Sequence, residues 1–83
     1  MLPQYYLIKI KENNRVSVYK VDYEKYFDHN FNYVYHTQKG ETYPLYKDLN
    51  RGTDEIFVDG DHLDELLDDL KEQCFCDFDS EVI

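Results

Sequence analysis

The chain has 83 residues, 42% of them hydrophobic and 17% aromatic, and carries a formal charge of −9. That apolar content excludes a disordered acidic tail, because such residues bury enough surface to offset the entropy of ordering the chain. The charge argues against direct binding to nucleic acid or anionic lipid, since phosphate contacts need Lys and Arg to release counterions. The acids are segregated: Asp54 to Ile83 holds twelve of the eighteen carboxylates and one base, Lys71, whereas Met1 to Thr53 holds six acids against eight bases. The length reads as a single domain, 1–83, close to the lower limit for one core, which leaves room for a homodimer.

The first element is a strand, in which Tyr6, Ile8 and Ile10 alternate with Leu7, Lys9 and Lys11. Asn13 and Asn14 tolerate positive φ, so Glu12 to Arg15 reads as a tight turn. Val16 to Tyr23, rich in β-branched and aromatic residues, is expected to return antiparallel. Glu24 to Asn32 shows no clear period and reads as a connection with room for one helical turn.

Tyr33 to Thr37 resumes strand character, Gln38-Lys39-Gly40-Glu41 is a turn, and a short strand follows around Thr42 to Tyr46. Pro44 cannot donate to a ladder and is expected at an edge. Asp48 to Asp54 is a loop before a brief strand, Glu55 to Val58, and Gly60 is a turn between strand and helix.

The helix is predicted from about His62 to Gln73. Asp61 is its expected N-cap, and Leu63, Leu66, Leu67, Leu70 and Cys74 recur at helical spacing. Residues 75–83 alternate apolar groups with Asp77, Asp79 and Glu81 and read as an edge strand or a frayed tail. The order of elements predicts an α+β fold: a small antiparallel sheet of four or five short strands packed on one amphipathic C-terminal helix.

Cys74 and Cys76 are one residue apart, a spacing that disfavours a mutual disulfide and points to a reducing compartment. The N-terminus lacks the pattern of a secretory leader, and charges interrupt every apolar run well short of about 18 residues. The expected location is therefore the cytoplasm, the host's if the chain is phage-encoded. His29, His36, His62, Cys74 and Cys76 lack metal-ligand spacing, and Asp59-Gly60-Asp61 is not continued as a calcium loop. No nucleophile motif or phosphate loop is present. The residues read as non-catalytic, with no cofactor and no metal.

Two features remain. On a helix, Asp64, Asp68 and Glu72 are successive i,i+4 neighbours, with Glu65 and Asp69 in a parallel row, all opposite the leucines. Such a row is either a plain solvated face or a lattice of negative charge that stands in for phosphates. The acids Asp59, Asp61, Asp77 and Asp79 extend it. The second feature is the nine tyrosines, all before Asp48, too many for so small a core to hide. Exposed tyrosine offers stiff contact area and a π face to Arg or Lys.

In size, charge and aromatic content the chain resembles the small acidic proteins that phages and mobile elements use against host defence, including DNA mimics and anti-CRISPR proteins. The resemblance covers no aligned stretch. It implies an inhibitor that occupies the DNA- or RNA-binding surface of a host defence enzyme, in the anti-CRISPR or anti-restriction class, with carboxylates in place of phosphates. The candidate partner-binding residues are Asp59, Asp61, Asp64, Glu65, Asp68, Asp69, Glu72, Asp77 and Asp79, and the partner is a basic, nucleic-acid-binding host protein. An antitoxin or adaptor binding a small basic protein needs the same charge, and a homo-oligomeric regulatory protein would use its tyrosines on itself.

Overall fold

The computed structural model describes residues 4–22, 24, 31–73 and 75–82, the stretch 76–82 by its backbone. The fold is α+β. Among the described residues six strands form one sheet: β1 (Tyr5–Ile10), β2 (Arg15–Val21), β3 (Tyr33–His36), β4 (Thr42–Asp48), β5 (Thr53–Asp59) and β6 (Cys76–Val82). One helix, α1 (Leu63–Glu72), joins β5 to β6, and the strand order is β3-β4-β5-β1-β2-β6.

β1 and β2 pair antiparallel from Tyr5↔Val21 to Ile10↔Val16, around a 3-10 turn at Glu12–Asn14. Asn14 takes the positive φ of 59° that this turn requires, and Lys11 N–H closes it on the Arg15 carbonyl at 2.7 Å. The β3–β4 turn closes similarly. Thr37 exchanges backbone bonds with Gly40 and Glu41, its Oγ1 accepts from Glu41 N–H, and Gly40 sits at φ 89°. The segment expected as a connection, Glu24 to Asn32, lies mostly outside the described residues. At its end Phe31 packs on Phe57 and Tyr46, with centroids 5.6 and 6.5 Å apart.

The first five strands are antiparallel throughout. The residues expected as an edge strand or frayed tail form β6, which is an edge strand and runs parallel to β2. Parallel pairing requires a crossover, and α1 supplies it by passing over one face of the sheet. Ile8, Val16, Val18, Tyr43, Leu45, Ile56 and Val58 make that face and bury Leu66 and Leu70 completely. Burial of each leucine contributes about 1.5–3 kcal/mol. The opposite face holds a smaller cluster of Leu7, Tyr19 and Val21 with Tyr5 and Phe57 against it.

Two sequence expectations need correction here. Pro44 lies in β4, an interior strand, and not at an outer edge. Its missing donor is tolerated because the β4–β5 register ends at Leu45↔Ile56, so Pro44 pairs with Val34 on one side only. The helix cap also differs: His62 occupies the N-cap, and its backbone N–H is taken by Asp59 Oδ1 at 3.1 Å. Asp61, the expected cap, is exposed.

Candidate functional site

With its leucines locked against the sheet, α1 has one rotational setting, and that setting decides which acids reach solvent. Asp64, Glu65, Asp68 and Glu72 are exposed, as is Asp61 just before the helix. Asp64 and Glu65 lie in the first turn, where the helix dipole favours negative charge. The like-charge pairs Asp64/Asp68 and Asp68/Glu72 each cost a few tenths of a kcal/mol, a strain that a cationic partner relieves.

Asp69 departs from this group. Expected on the acidic row, it is 7% exposed and turned inward. Its Oδ2 accepts from Tyr35 Oη at 3.0 Å and from Gln73 Nε2 at 2.7 Å, while Oδ1 accepts from Gln38 N–H at 2.8 Å. Gln73 Nε2 also donates to Tyr35 Oη at 2.9 Å. At about 100° per residue Asp69 lies only about 60° around the helix from Leu66, on the margin where the β3–β4 hairpin arrives. The carboxylate therefore ties that hairpin to the helix and is not part of a partner-facing row. Burial and the neighbouring Asp69 carboxylate push the Tyr35 hydroxyl up to about 12.

Between helix and hairpin lies a depression of about 100 Å³ lined by Thr37, Lys39, Glu41, Glu65, Asp68 and Glu72, with Asp69 at its base. Glu41 thereby joins the acidic surface from a different element, a residue that no spacing in the sequence connects to the helix. Asp77 and Asp79 stand on β6, and their side chains lie outside the described residues.

The tyrosines are less exposed than their number implies. Of the seven within the described residues, Tyr19 and Tyr43 are buried, Tyr5, Tyr6, Tyr35 and Tyr46 are partly buried, and Tyr33 is exposed at 47%. Neighbouring Val34 is 51% exposed, so among the described residues the one exposed tyrosine stands beside an exposed aliphatic side chain on the edge strand β3.

A second constellation surrounds the N-terminus of α1. His62 Nδ1 lies 2.8 and 3.0 Å from the two Asp59 carboxylate oxygens. This contact, and the Asp59 charge, raise the imidazole above its ordinary range. Burial alone would raise the Asp59 carboxyl, but the His62 hydrogen bond and charge, with backbone N–H groups, outweigh it and lower it. Tyr43 Oη donates to Glu41 at 2.9 Å, and its hydroxyl is pushed up by burial first and by Glu41 second. The Tyr43 and His62 rings are 6.3 Å apart.

No family model, curated protein or solved structure matches this chain. Its site is therefore read from its own residues. Among the described residues no three His, Cys, Asp or Glu side chains converge closely enough to hold a metal ion, and no helix is long and apolar enough to cross a membrane.

Proposed function

We propose that the chain is a non-catalytic acidic inhibitor, of the type encoded by phages or mobile elements, that mimics nucleic acid and blocks the DNA- or RNA-binding surface of a host defence enzyme. The observation that carries this reading is the fixed exposure of Asp64, Glu65, Asp68 and Glu72 along one side of α1. These four charges span eight helical steps, about 12 Å, so successive charges stand about 4 Å apart along the axis on average. Along a single strand of a duplex the phosphates recur every 3.4 Å or so. A channel lined with Lys and Arg meets in this helix a charge spacing close to that of its own ligand. Asp61 and Glu41 broaden the surface at its margins.

The test is affinity capture from a bacterial lysate at moderate salt, with wild type and with the protein carrying Asp64→Asn, Asp68→Asn and Glu72→Gln together. The expected result is recovery of a nucleic-acid-binding protein by wild type only, released by added duplex DNA. Equal recovery by the amide variant removes this face from the function. Recovery of a small basic protein that DNA does not release converts the reading to an antitoxin or adaptor.

A second reading rests on β3. Its sequence Tyr-Val-Tyr-His carries neither the Lys nor the Pro that commonly blunts an edge, whereas the opposite edge, β6, carries Asp77, Asp79 and Glu81. Antiparallel addition of β3 from a second copy makes a homodimeric regulatory protein. Light scattering decides it: a dimeric mass reduced to a monomer by Val34→Lys supports this reading, and a monomeric wild type removes it.

A further inference from the structure

β4 and β5 pair from Asp48↔Thr53 to Leu45↔Ile56 and then part. Beyond that point both stay extended, β4 as Thr42–Pro44 paired outward to β3, and β5 as Phe57–Asp59 paired outward to β1. The space opened between them is about 580 Å³, within the roughly 300–1,000 Å³ typical of ligand sites. Pro44 has no N–H with which to close the ladder. One wall of the cleft is aromatic, with Tyr5 stacked on Phe57 at a centroid distance of 4.9 Å and 8° between planes. Tyr43 and Pro44 form the other wall, and the carboxylates of Glu41 and Asp59 stand at the rim beside His62.

We infer that this cleft is a receptor for an arginine side chain carried on an extended segment of the basic partner. The inference rests on the reading of the chain as a binder of basic proteins. Glu41 and Asp59, set against the one histidine already paired with Asp59, leave a net negative charge that repels phosphates and attracts a cation. The aromatic wall favours the planar, weakly hydrated guanidinium over a compact ammonium, because arginine stacks on rings while its fork reaches a carboxylate. An extended carrier follows from the walls themselves. An antiparallel strand paired on one side turns alternate N–H and C=O groups to the other, and strand addition uses such groups. The cleft would then select a side chain while the helix supplies long-range attraction.

The probe is the capped pentapeptide acetyl-Ser-Arg-Thr-Arg-Ser-amide, titrated into the isotopically labelled protein and followed by backbone amide NMR. Its counterpart with citrulline in place of both arginines keeps the shape and loses the charge. Expected shifts centre on Glu41, Thr42, Tyr43, Phe57 and Asp59. The dissociation constant should rise about fivefold or more with the citrulline peptide and with Glu41→Gln, whose amide oxygen can still accept from Tyr43. The Asp64→Asn, Asp68→Asn, Glu72→Gln protein should bind the arginine peptide within about twofold of wild type, because these exposed helix carboxylates line no part of the cleft and add little to a short contact made inside it. Shifts confined to α1, equal binding of the citrulline peptide, or no shifts overturn the receptor site. The citrulline comparison needs no protein variant, so it stands even if Glu41→Gln fails to fold. Cleft binding without any DNA-displaceable protein in the lysate capture keeps the receptor and removes the mimic, and the reverse pair of results removes only the receptor.

Discussion

Tyr35 donates its phenolic hydrogen to Asp69 Oδ2 at 3.0 Å across 34 residues of sequence, so a strand residue in the first half of the chain decides the fate of an acid in the second. The same carboxylate accepts from Gln38 N–H and Gln73 Nε2, and Asp69→Ala would leave all three donors without it. The expected loss is about 2–3 kcal/mol of stability, since three part-buried donors then lose their charged acceptor. Asp68→Ala, one residue away and exposed, is expected to change stability by no more than about 0.5 kcal/mol. Urea unfolding of the two variants side by side checks this. Equal midpoints would mean that Asp69 is a surface acid like its neighbours.

Leu66 and Leu70 are fully buried between helix and sheet. Leu66→Ala is expected to cost about 2–5 kcal/mol through lost contacts and the cavity left behind. Leu66→Asp should unfold the protein outright, because its charge would have no partner in the core. Circular dichroism during a thermal scan reads both. A Leu66→Asp protein that melts like wild type would place the leucines away from the sheet.

The His62–Asp59 pair makes stability depend on pH, with Glu41, Glu65 and the Tyr43 ring as the other groups around the imidazole. His62 is raised in the folded state, so its contribution is complete below the ordinary histidine value and is lost as pH rises through the elevated one. Asp59 is lowered, so its contribution is complete above the ordinary carboxylate value and is lost as pH falls through the depressed one. The pair therefore stabilises most between about pH 4 and 6.5. Melting temperature is expected to fall from pH 6 to 8 in wild type by more than in His62→Gln. An identical decline in both proteins would assign the effect to other groups.

Thr53 Oγ1 is buried with no hydrogen-bond partner among the described residues. Thr53→Val keeps the shape and removes a desolvated hydroxyl, so it is expected to be neutral or to stabilise by up to about 1 kcal/mol. Loss of stability in denaturant unfolding would reveal a partner for that oxygen.

Local chemistry was legible in particular residues. Alternation around Tyr6, Ile8 and Ile10 with Asn13-Asn14 specified the β1–β2 hairpin, and Asn14 does adopt positive φ. The spacing of Leu63, Leu66, Leu67 and Leu70 specified α1 to within a residue at each end. Pro44 and Asp69 were less legible. Pro44 excludes one hydrogen bond, and sequence does not say on which side of a strand that bond would have been. Asp69 sits at the margin of the leucine arc, and only the neighbour that arrives there, Tyr35 with Gln38, decides between solvent and burial.

The sequence by itself determined the periodic elements, the leucine stripe and the segregation of acids, because these follow from side-chain spacing along 100° and 180° turns of the backbone. Tertiary structure decided the rest. It set β6 parallel to β2 through the α1 crossover, turned Asp69 inward while leaving Asp64, Glu65, Asp68 and Glu72 outside, and brought Glu41 beside the helix. It also parted β4 from β5 to make a cleft from residues as distant as Tyr5 and His62. Each of these depends on which distant strand or turn packs against which, a choice made by burial of the whole sheet face and not by any local pattern.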